Sequence, residues 1–211
     1  YLAAKQKNSW SKTQLLNFCL PAFSYCHPCL SADGKTLFFA SAPHDGFGGM
    51  DLYCSVFENN QWSNPINLGS KVNTNANEVF PFLSPSRLLY FSSDNKSGYG
   101  GLDIYCYDFS DTLHAQKYLL EAPLNSAYDD FGVYVDSTGR SGYISSNRNQ
   151  KNEDDIFYFY NKYPYFNHCT PFVQPSNCFT FFEESTELSD DTLGLTYEWS
   201  FGDGTKAKGL E

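Results

Sequence analysis

Phe39-Ala-Ser-Ala-Pro-His-Asp-Gly-Phe-Gly-Gly-Met-Asp-Leu-Tyr-Cys54 aligns without a gap on Phe91-Ser-Ser-Asp-Asn-Lys-Ser-Gly-Tyr-Gly-Gly-Leu-Asp-Ile-Tyr-Cys106, 52 residues further along the chain. Upstream, His27-Pro-Cys-Leu-Ser31 matches Phe80-Pro-Phe-Leu-Ser84 with one residue of slippage. A weaker third copy runs through Phe131-Gly-Val-Tyr-Val135, Gly142-Tyr-Ile-Ser-Ser-Asn147 and Asp154-Asp-Ile-Phe157. In the connections, Asn73-Thr74 with Glu78 parallels Asn125-Ser126 with Asp129. Tyr1 and Trp10 stand 52 residues before Tyr53 and Trp62, so residues 1–20 read as the back half of an earlier repeat. Because residue 1 is Tyr and the sole methionine is Met50, the numbering is expected to start inside a longer chain, in the middle of a unit.

One unit contains four short runs rich in aromatic and branched residues: His27–Ser31, Thr36–Ser41, Asp51–Phe57 and Gln61–Leu68. Ala-Asp-Gly, the Gly-rich Asp45–Gly49 stretch and Glu-Asn-Asn separate them, which is turn chemistry between strands. Four strands per ~40–50 residues is the arithmetic of a propeller blade. The reading is therefore an all-β chain: an incomplete β-propeller of three blades (23–70, 71–122 and 123–162) preceded by the blade tail 1–20. Propellers typically hold four to eight blades, so a larger closed ring is expected.

Gly46, Gly48 and Gly49, like Gly98, Gly100 and Gly101, are expected to supply positive φ in a compact turn before the third strand. The aspartates that follow, Asp51 and Asp103, with Asp155 in the third copy, are expected to accept backbone N–H groups of that turn. A metal-ligand role is the alternative. Recurrence in every copy favours the turn.

Composition agrees with strands. Aromatic residues make up 18% of the chain and charged residues 18%, the latter below the average of about 25%. Aromatic and β-branched residues suit pleated, half-buried surfaces. The formal net charge of −10 leaves no basic stripe for phosphate and argues against a nucleic-acid partner. It disfavours docking on an anionic membrane leaflet as well. No stretch approaches the ~20 apolar residues of a transmembrane helix, and no signal peptide is visible.

Pro28–Phe39, Pro-x-Leu-Ser-x-Asp-Gly-Lys-x-Leu-Phe-Phe, resembles the blade repeat of TolB-type, WD40-like propellers. Gly-Tyr-Gly-Gly-Leu-Asp-Ile-Tyr at 98–105 is similar to a narrower variant, and so are Asn125–Gly132, Gly142–Arg148 and the Asp-Asp-Ile-Phe that follows. That variant belongs to envelope proteins of the Bacteroidota, which often carry an OmpA-like, peptidoglycan-binding domain. One branch serves type IX secretion and gliding. The resemblance covers residues 1–162. It implies periplasmic or cell-surface residence at the outer membrane, envelope proteins as partners, and a peptidoglycan contact through a domain outside this segment.

Three prolines, 164, 171 and 175, mark a linker over 163–175. Beyond it, Cys178-Phe-Thr-Phe-Phe182 and Leu195-Thr-Tyr-Glu-Trp-Ser-Phe-Gly-Asp-Gly-Thr205 resemble the first half of a PKD domain, an immunoglobulin-like β-sandwich, over 176–211. The resemblance makes Trp199 its core aromatic, followed by Phe201, with Gly202-Asp203-Gly204 turning the chain.

Cys26-His-Pro-Cys29 has redox spacing, but such a motif works where a helix N-terminus lowers the thiol pKa, and no helix follows here. A zinc site needs a second ligand pair, which His44, His114 and His168 do not supply. Cys54 and Cys106 are repeat-equivalent and read as buried small hydrophobes. Cys169 and Cys178, which flank the start of the second domain, are the disulfide candidates, since their loop could bring them within the ~4.4–6.8 Å a bridge needs. An extended strand would hold Cys26 and Cys29 near ~10 Å apart.

No Gly-x-Ser-x-Gly elbow, phosphate loop or His-Glu-x-x-His is present. The pairs Asp129-Asp130, Asp154-Asp155 and Asp190-Asp191 point to opposite faces if on strands, a poor geometry for an acid–base dyad. No catalytic residue, metal or cofactor is therefore assigned. The expected function is a non-enzymatic scaffold or adaptor of the Gram-negative envelope. Two alternatives stay open: a carbohydrate- or peptidoglycan-binding module that stacks sugars on Tyr99 or Trp62, and a propeller glycoside hydrolase with carboxylates from different blades. Calcium at loops such as Asp45–Asp51 is a weaker possibility, since no EF-hand-like ligand rhythm is present.

Overall fold

The computed structural model describes residues 1–42, 46–109, 115–149 and 153–160, together with the strand backbones Thr196–Ser200 and Lys206–Leu210. Among them there are strands and turns and no helix. The first sheet holds β1 (Tyr25–Leu30), β2 (Thr36–Ser41) and β3 (Asp51–Glu58), with β4 (Gln61–Trp62) and β5 (Ile66–Asn67) pairing in turn with β3. The second sheet is β6 (Glu78–Leu83), β7 (Leu88–Ser93), β8 (Asp103–Asp108) and β9 (Lys117–Leu119). The third holds, among the described residues, β10 (Asp130–Val135), β11 (Ser141–Ser146) and β12 (Asp155–Tyr160), and the stretch after β12 where a fourth strand was expected lies outside them. The expected single run Gln61–Leu68 is split around Ser63–Pro65, because Pro65 has no N–H to give a ladder. Among the described residues all pairings are antiparallel, and none of the sheets closes on itself.

The chain divides into two compact units, 1–167 and 168–211. In the second, β13 (Thr196–Ser200) pairs antiparallel with β14 (Lys206–Leu210), with Trp199 opposite Ala207. Phe201, Gly202, Asp203 and Gly204 lie outside the described residues, as do Cys169 and Cys178.

Period-2 alternation decides how the three sheets stack. Along β2, Phe38 and Ala40 point to the second sheet, while Leu37 and Phe39 point to the segment that holds Leu16 and Phe18. Along β7 and β8, Leu89, Phe91, Tyr105 and Tyr107 face back to the first sheet, and Tyr90, Ile104 and Cys106 face on to the third. Val133, Val135, Ile144, Phe157 and Phe159 of the third sheet close that second interface. Being covered on both sides, β8 is buried over Asp103–Tyr107, and its sequence reads as a continuous apolar run after the aspartate.

The segment 1–20 repeats the pairing of a later unit. Bridges Leu2–Gln14 and Lys5–Trp10 sit 52 residues before the Cα partners Cys54–Ile66 and Phe57–Trp62. Leu16, Leu68 and Leu120, each 52 apart, pack on three successive interfaces. The one-residue slippage is absorbed in the first hairpin of each unit. Ser31 N–H bonds Thr36 C=O, five residues on, whereas Ser84 N–H bonds Leu88 C=O, only four on.

Candidate functional site

The polar groups that recur at the 52-residue period gather in the connections between sheets. Asp51 accepts Phe47 N–H at 2.7 Å and Gly48 N–H at 3.2 Å, and Asp103 accepts Tyr99 N–H at 2.9 Å and Gly100 N–H at 3.0 Å. Both carboxylates are buried. Asp155 differs: it accepts Asn149 Nδ2 at 2.8 Å, a side chain, and residues 150–152 of its turn lie outside the described set.

The glycines serve a purpose other than the expected one. Gly48, Gly49, Gly98, Gly100 and Gly101 do not take positive φ. Four of them are small because the next unit's connection lies on them: a Cβ at Gly48 would overlap the Ala76 carbonyl, and one at Gly100 the Tyr128 carbonyl, while at Gly98 it would meet the Asp103 carboxylate of its own unit. Close backbone approach, not a left-handed turn, excludes a side chain there.

From that approach the clasp between units builds up. Asn73 Oδ1 accepts Leu52 N–H at 2.8 Å while its Nδ2 donates to Leu52 C=O at 3.0 Å. Asn125 repeats this on Ile104, at 2.7 and 2.9 Å. Glu78 accepts Thr74 N–H and Oγ1–H, and Asp130 accepts the same two groups of Ser126. The partner of Glu78 in the next unit is thus Asp130, not Asp129 as the sequence parallel has it. Asp129 corresponds to Asn77: the two accept Leu102 N–H at 2.8 Å and Met50 N–H at 3.0 Å. Asn77 donates its N–H and Nδ2 to Asp94, and in the next unit Asp129 N–H and Asn147 Nδ2 make the matching bonds, with amide and acid exchanged. Applying the 52-residue offset to Glu78 and Asn77 rather than matching residue types would have found this.

Electrostatics separate the two aspartates. Asp51 uses both oxygens, one of them also taking Asn67 Nδ2 at 2.8 Å. Position 119, which is 52 residues on, is Leu, and Asp103 Oδ1 is buried without a hydrogen-bond partner. Burial raises the Asp103 carboxyl above the usual carboxylate range against the pull of the Gly100 and Tyr99 amides, and the charges of Asp130 and Asp129 add to the rise. Arg148 answers Asp130 directly by ion pair, donates to the Pro123 and Leu124 carbonyls at 2.7 Å, and lies over the Phe157 ring.

A second repeated feature lies on the first strand of each sheet. His27 (φ 51°), Phe80 (φ 52°) and Gly132 (φ 60°) take positive φ at bulges where the register with the following strand shifts. These strands pack side by side, and His27, Pro28, Cys29, Phe80, Phe82 and Gly132 border an open recess of about 230 Å³. His27 stacks on Phe80 at 3.7 Å between ring centroids, with its Nδ1 accepting Phe80 N–H at 3.4 Å. Burial lowers the His27 pKa. Cys29 Sγ accepts Leu83 N–H at 3.3 Å, and burial raises its pKa despite that bond. The bulge breaks the extended geometry expected around Cys26 and Cys29, and both are free thiols, as are Cys19, Cys54 and Cys106. Burial pushes the Cys106 thiol up to about 12, with Asp108 adding to the shift. A thiol in that state is a packing group, not a nucleophile.

Trp62, weighed as a sugar platform, is buried and packs against Phe57 at 5.2 Å, whereas Tyr99 is exposed. Among the described residues no group of three His, Cys, Asp or Glu side chains is placed to hold a metal ion, and no helix is long and apolar enough to cross a membrane. No family model matches the chain, and no match is found among the curated proteins.

Proposed function

We propose that this chain is a non-enzymatic scaffold or adaptor of the Gram-negative cell envelope. It would be a segment of a TolB-like, WD40-like propeller with a PKD-like module, residing in the periplasm or at the cell surface and binding proteins of a type IX secretion, gliding or outer-membrane–peptidoglycan assembly. One observation carries the reading. The recurring carboxylates and amides (Asp51, Asn73, Glu78, Asp103, Asn125 and Asp130) are buried and hold backbone groups in place instead of facing solvent together. Catalysis calls for titratable groups that converge on a reacting atom in a pocket. Here the polar chemistry of the repeat goes into rigidity, and rigid stacked sheets present loops and aromatic faces to partners. The family resemblance of the repeat supplies the compartment.

Affinity purification of the chain from a Gram-negative envelope fraction tests it. Recovery of secretion or outer-membrane components is the expected result. Robust turnover of a glycan or peptide by the purified chain would overturn it.

A further inference from the structure

A bulge brings together two cysteines that an unbroken strand would hold apart. Cys26 pairs with Ala40 across the first hairpin, and Cys29, three residues on, pairs with Phe38, only two residues back. Three steps of β1 are thus taken up in the length of two on β2. At ~3.3 Å per residue the Cα atoms of Cys26 and Cys29 lie about 6.6 Å apart. That is inside the ~4.4–6.8 Å span of disulfides, whereas an unbroken strand would set them near ~10 Å.

Direction agrees with distance. Phe38 and Ala40 lie two apart on one strand and so share a face, and Cys26 and Cys29 both pack on the core those residues help to form. Both sulfurs also lie by groups that meet β6. Cys29 Sγ accepts Leu83 N–H at 3.3 Å, and Cys26 Sγ lies 3.5 Å from the His27 Nδ1 that accepts Phe80 N–H. Both side chains are half-buried, which leaves them open to a small oxidant. The same bulge occurs in the other two units, where Val79 and Phe82 flank it in the second and Phe131 and Tyr134 in the third. The cysteine pair is therefore a property of the first unit and not a requirement of the repeat.

We infer that Cys26 and Cys29 are a dithiol that closes into a disulfide across the bulge. The oxidant is a small disulfide, for which glutathione disulfide serves in the test. The thiolate of one cysteine attacks it, forming a mixed disulfide and releasing one glutathione. The thiolate of the other attacks the protein sulfur of that mixed bond and releases the second glutathione. The two protein thiols are oxidised, the S–S bond of the oxidant is reduced, and the two protons pass to the two glutathione thiols. The bridge closes a ring over residues 26–29 only, so little of its effect comes through the unfolded chain. Its effect is local: it pins the bulge that seats His27 on Phe80. The inference stands on the geometry of β1 and is independent of compartment and partner.

The purified, fully reduced chain is equilibrated with glutathione and its disulfide at mildly alkaline pH, since burial raises both thiols and the thiolate is the reacting form. Alkylation in denaturant and mass spectrometry of the tryptic peptide Thr13–Lys35, which also carries Cys19, then reads the pairing. The expected result is that Cys26 and Cys29 lose their thiols together, as a loss of two hydrogens, while Cys19 stays alkylated. Cys19→Ser should bridge as wild type does, and Cys26→Ser should give only glutathione on Cys29. At one glutathione ratio, the bridged fraction should be several-fold higher in the folded chain than in urea. Separate glutathiones on Cys26 and Cys29, thiols that stay alkylated, or a bridge to Cys19 instead would each overturn the inference. So would equal bridging in the folded chain and in urea, which would mean that the fold does not bring the pair together.

Discussion

Asp51 and Asp103 occupy the same place in successive units and carry the same pair of turn amides, yet they do not have the same worth. The Asp51 carboxylate has both oxygens bonded, whereas Asp103 has one buried oxygen with nothing to accept from. Removing a partner from a satisfied buried group costs about 1–3 kcal/mol. Asp51→Asn should therefore destabilise by that amount, since its new NH₂ would face either the Gly48 amide or Asn67 Nδ2, both donors. Asp103→Asn keeps one oxygen for Tyr99 and Gly100 and removes a half-satisfied buried charge, so its cost should stay below that of Asp51→Asn in urea denaturation. Equal losses would refute the comparison. The pH dependence follows with its sign. A carboxyl whose folded pKa lies above its unfolded value binds its proton more tightly in the native state. The stabilisation from protonating Asp103 is full below the ordinary carboxylate pKa and is lost as pH rises through the raised one. Asp103→Asn should flatten that part of the stability–pH profile. Arg87 offers a second residue-scale test. It takes φ 67° where the other two units place Gly34 (φ 70°) and Gly139 (φ 73°). The left-handed penalty of about 1–2 kcal/mol, less the extra unfolded-state freedom of glycine, predicts that Arg87→Gly stabilises by about 1 kcal/mol, visible as a higher urea midpoint.

At the scale of the element, the turn before each third strand is fixed from outside by the next unit's connection. Gly100 sits under the Tyr128 carbonyl, and a methyl group there must move backbone. Gly139 has open space around it and only its positive φ to lose. Gly100→Ala should thus cost clearly more than Gly139→Ala, for which the conformational penalty of about 1–2 kcal/mol is the whole effect. A reversed order would sink the close-approach account. Asn125 clamps both the N–H and the C=O of Ile104, and both bonds are buried. Asn125→Ala leaves the buried Ile104 N–H without its acceptor, while the Ile104 C=O still accepts Leu120 N–H at 3.0 Å, for a loss of about 1–3 kcal/mol by the same denaturation assay.

Across the whole of the first unit, stability is shared between neighbours. Among the described residues the second sheet is packed on both faces and the third on one, with Ile156, Tyr158 and Tyr160 exposed. In stacked repeats each sheet depends on the interfaces it shares with the adjoining ones. Amide hydrogen exchange should therefore be slowest along β7 and β8 and faster along β11 and β12. Equal protection in the two would contradict nearest-neighbour coupling. Phe91, fully buried in the first interface, is the residue whose truncation to Ala should cost the most, about 3–5 kcal/mol.

Taken alone, the sequence determined the strand class, the 52-residue unit, the Asp51 and Asp103 turns and the burial of Cys106, whereas its repeat-equivalent Cys54, expected to be buried too, is only half-buried. These are local or periodic properties: turn residues act within a few positions, and a repeated unit shows itself by matching its own copy. It fixed too little about the links between units. The partner of Glu78 was displaced by one residue, to Asp129, because residue type suggested an alignment that only the hydrogen bonds of Asp130 to Ser126 correct. The glycines were legible as turn residues, but the reason for them was not, since the carbonyls that exclude a side chain at Gly48 and Gly100 come from the following connection. The bulges at His27 and Phe80 gave no composition cue, because a bulky residue at positive φ is held by its neighbours and not chosen by its own preference. Tertiary structure alone decided which tyrosines are core and which are surface. Tyr90 and Tyr143 hold the same position in consecutive sheets with similar neighbours in sequence, and only the presence of a sheet against the first buries it and leaves the second in water.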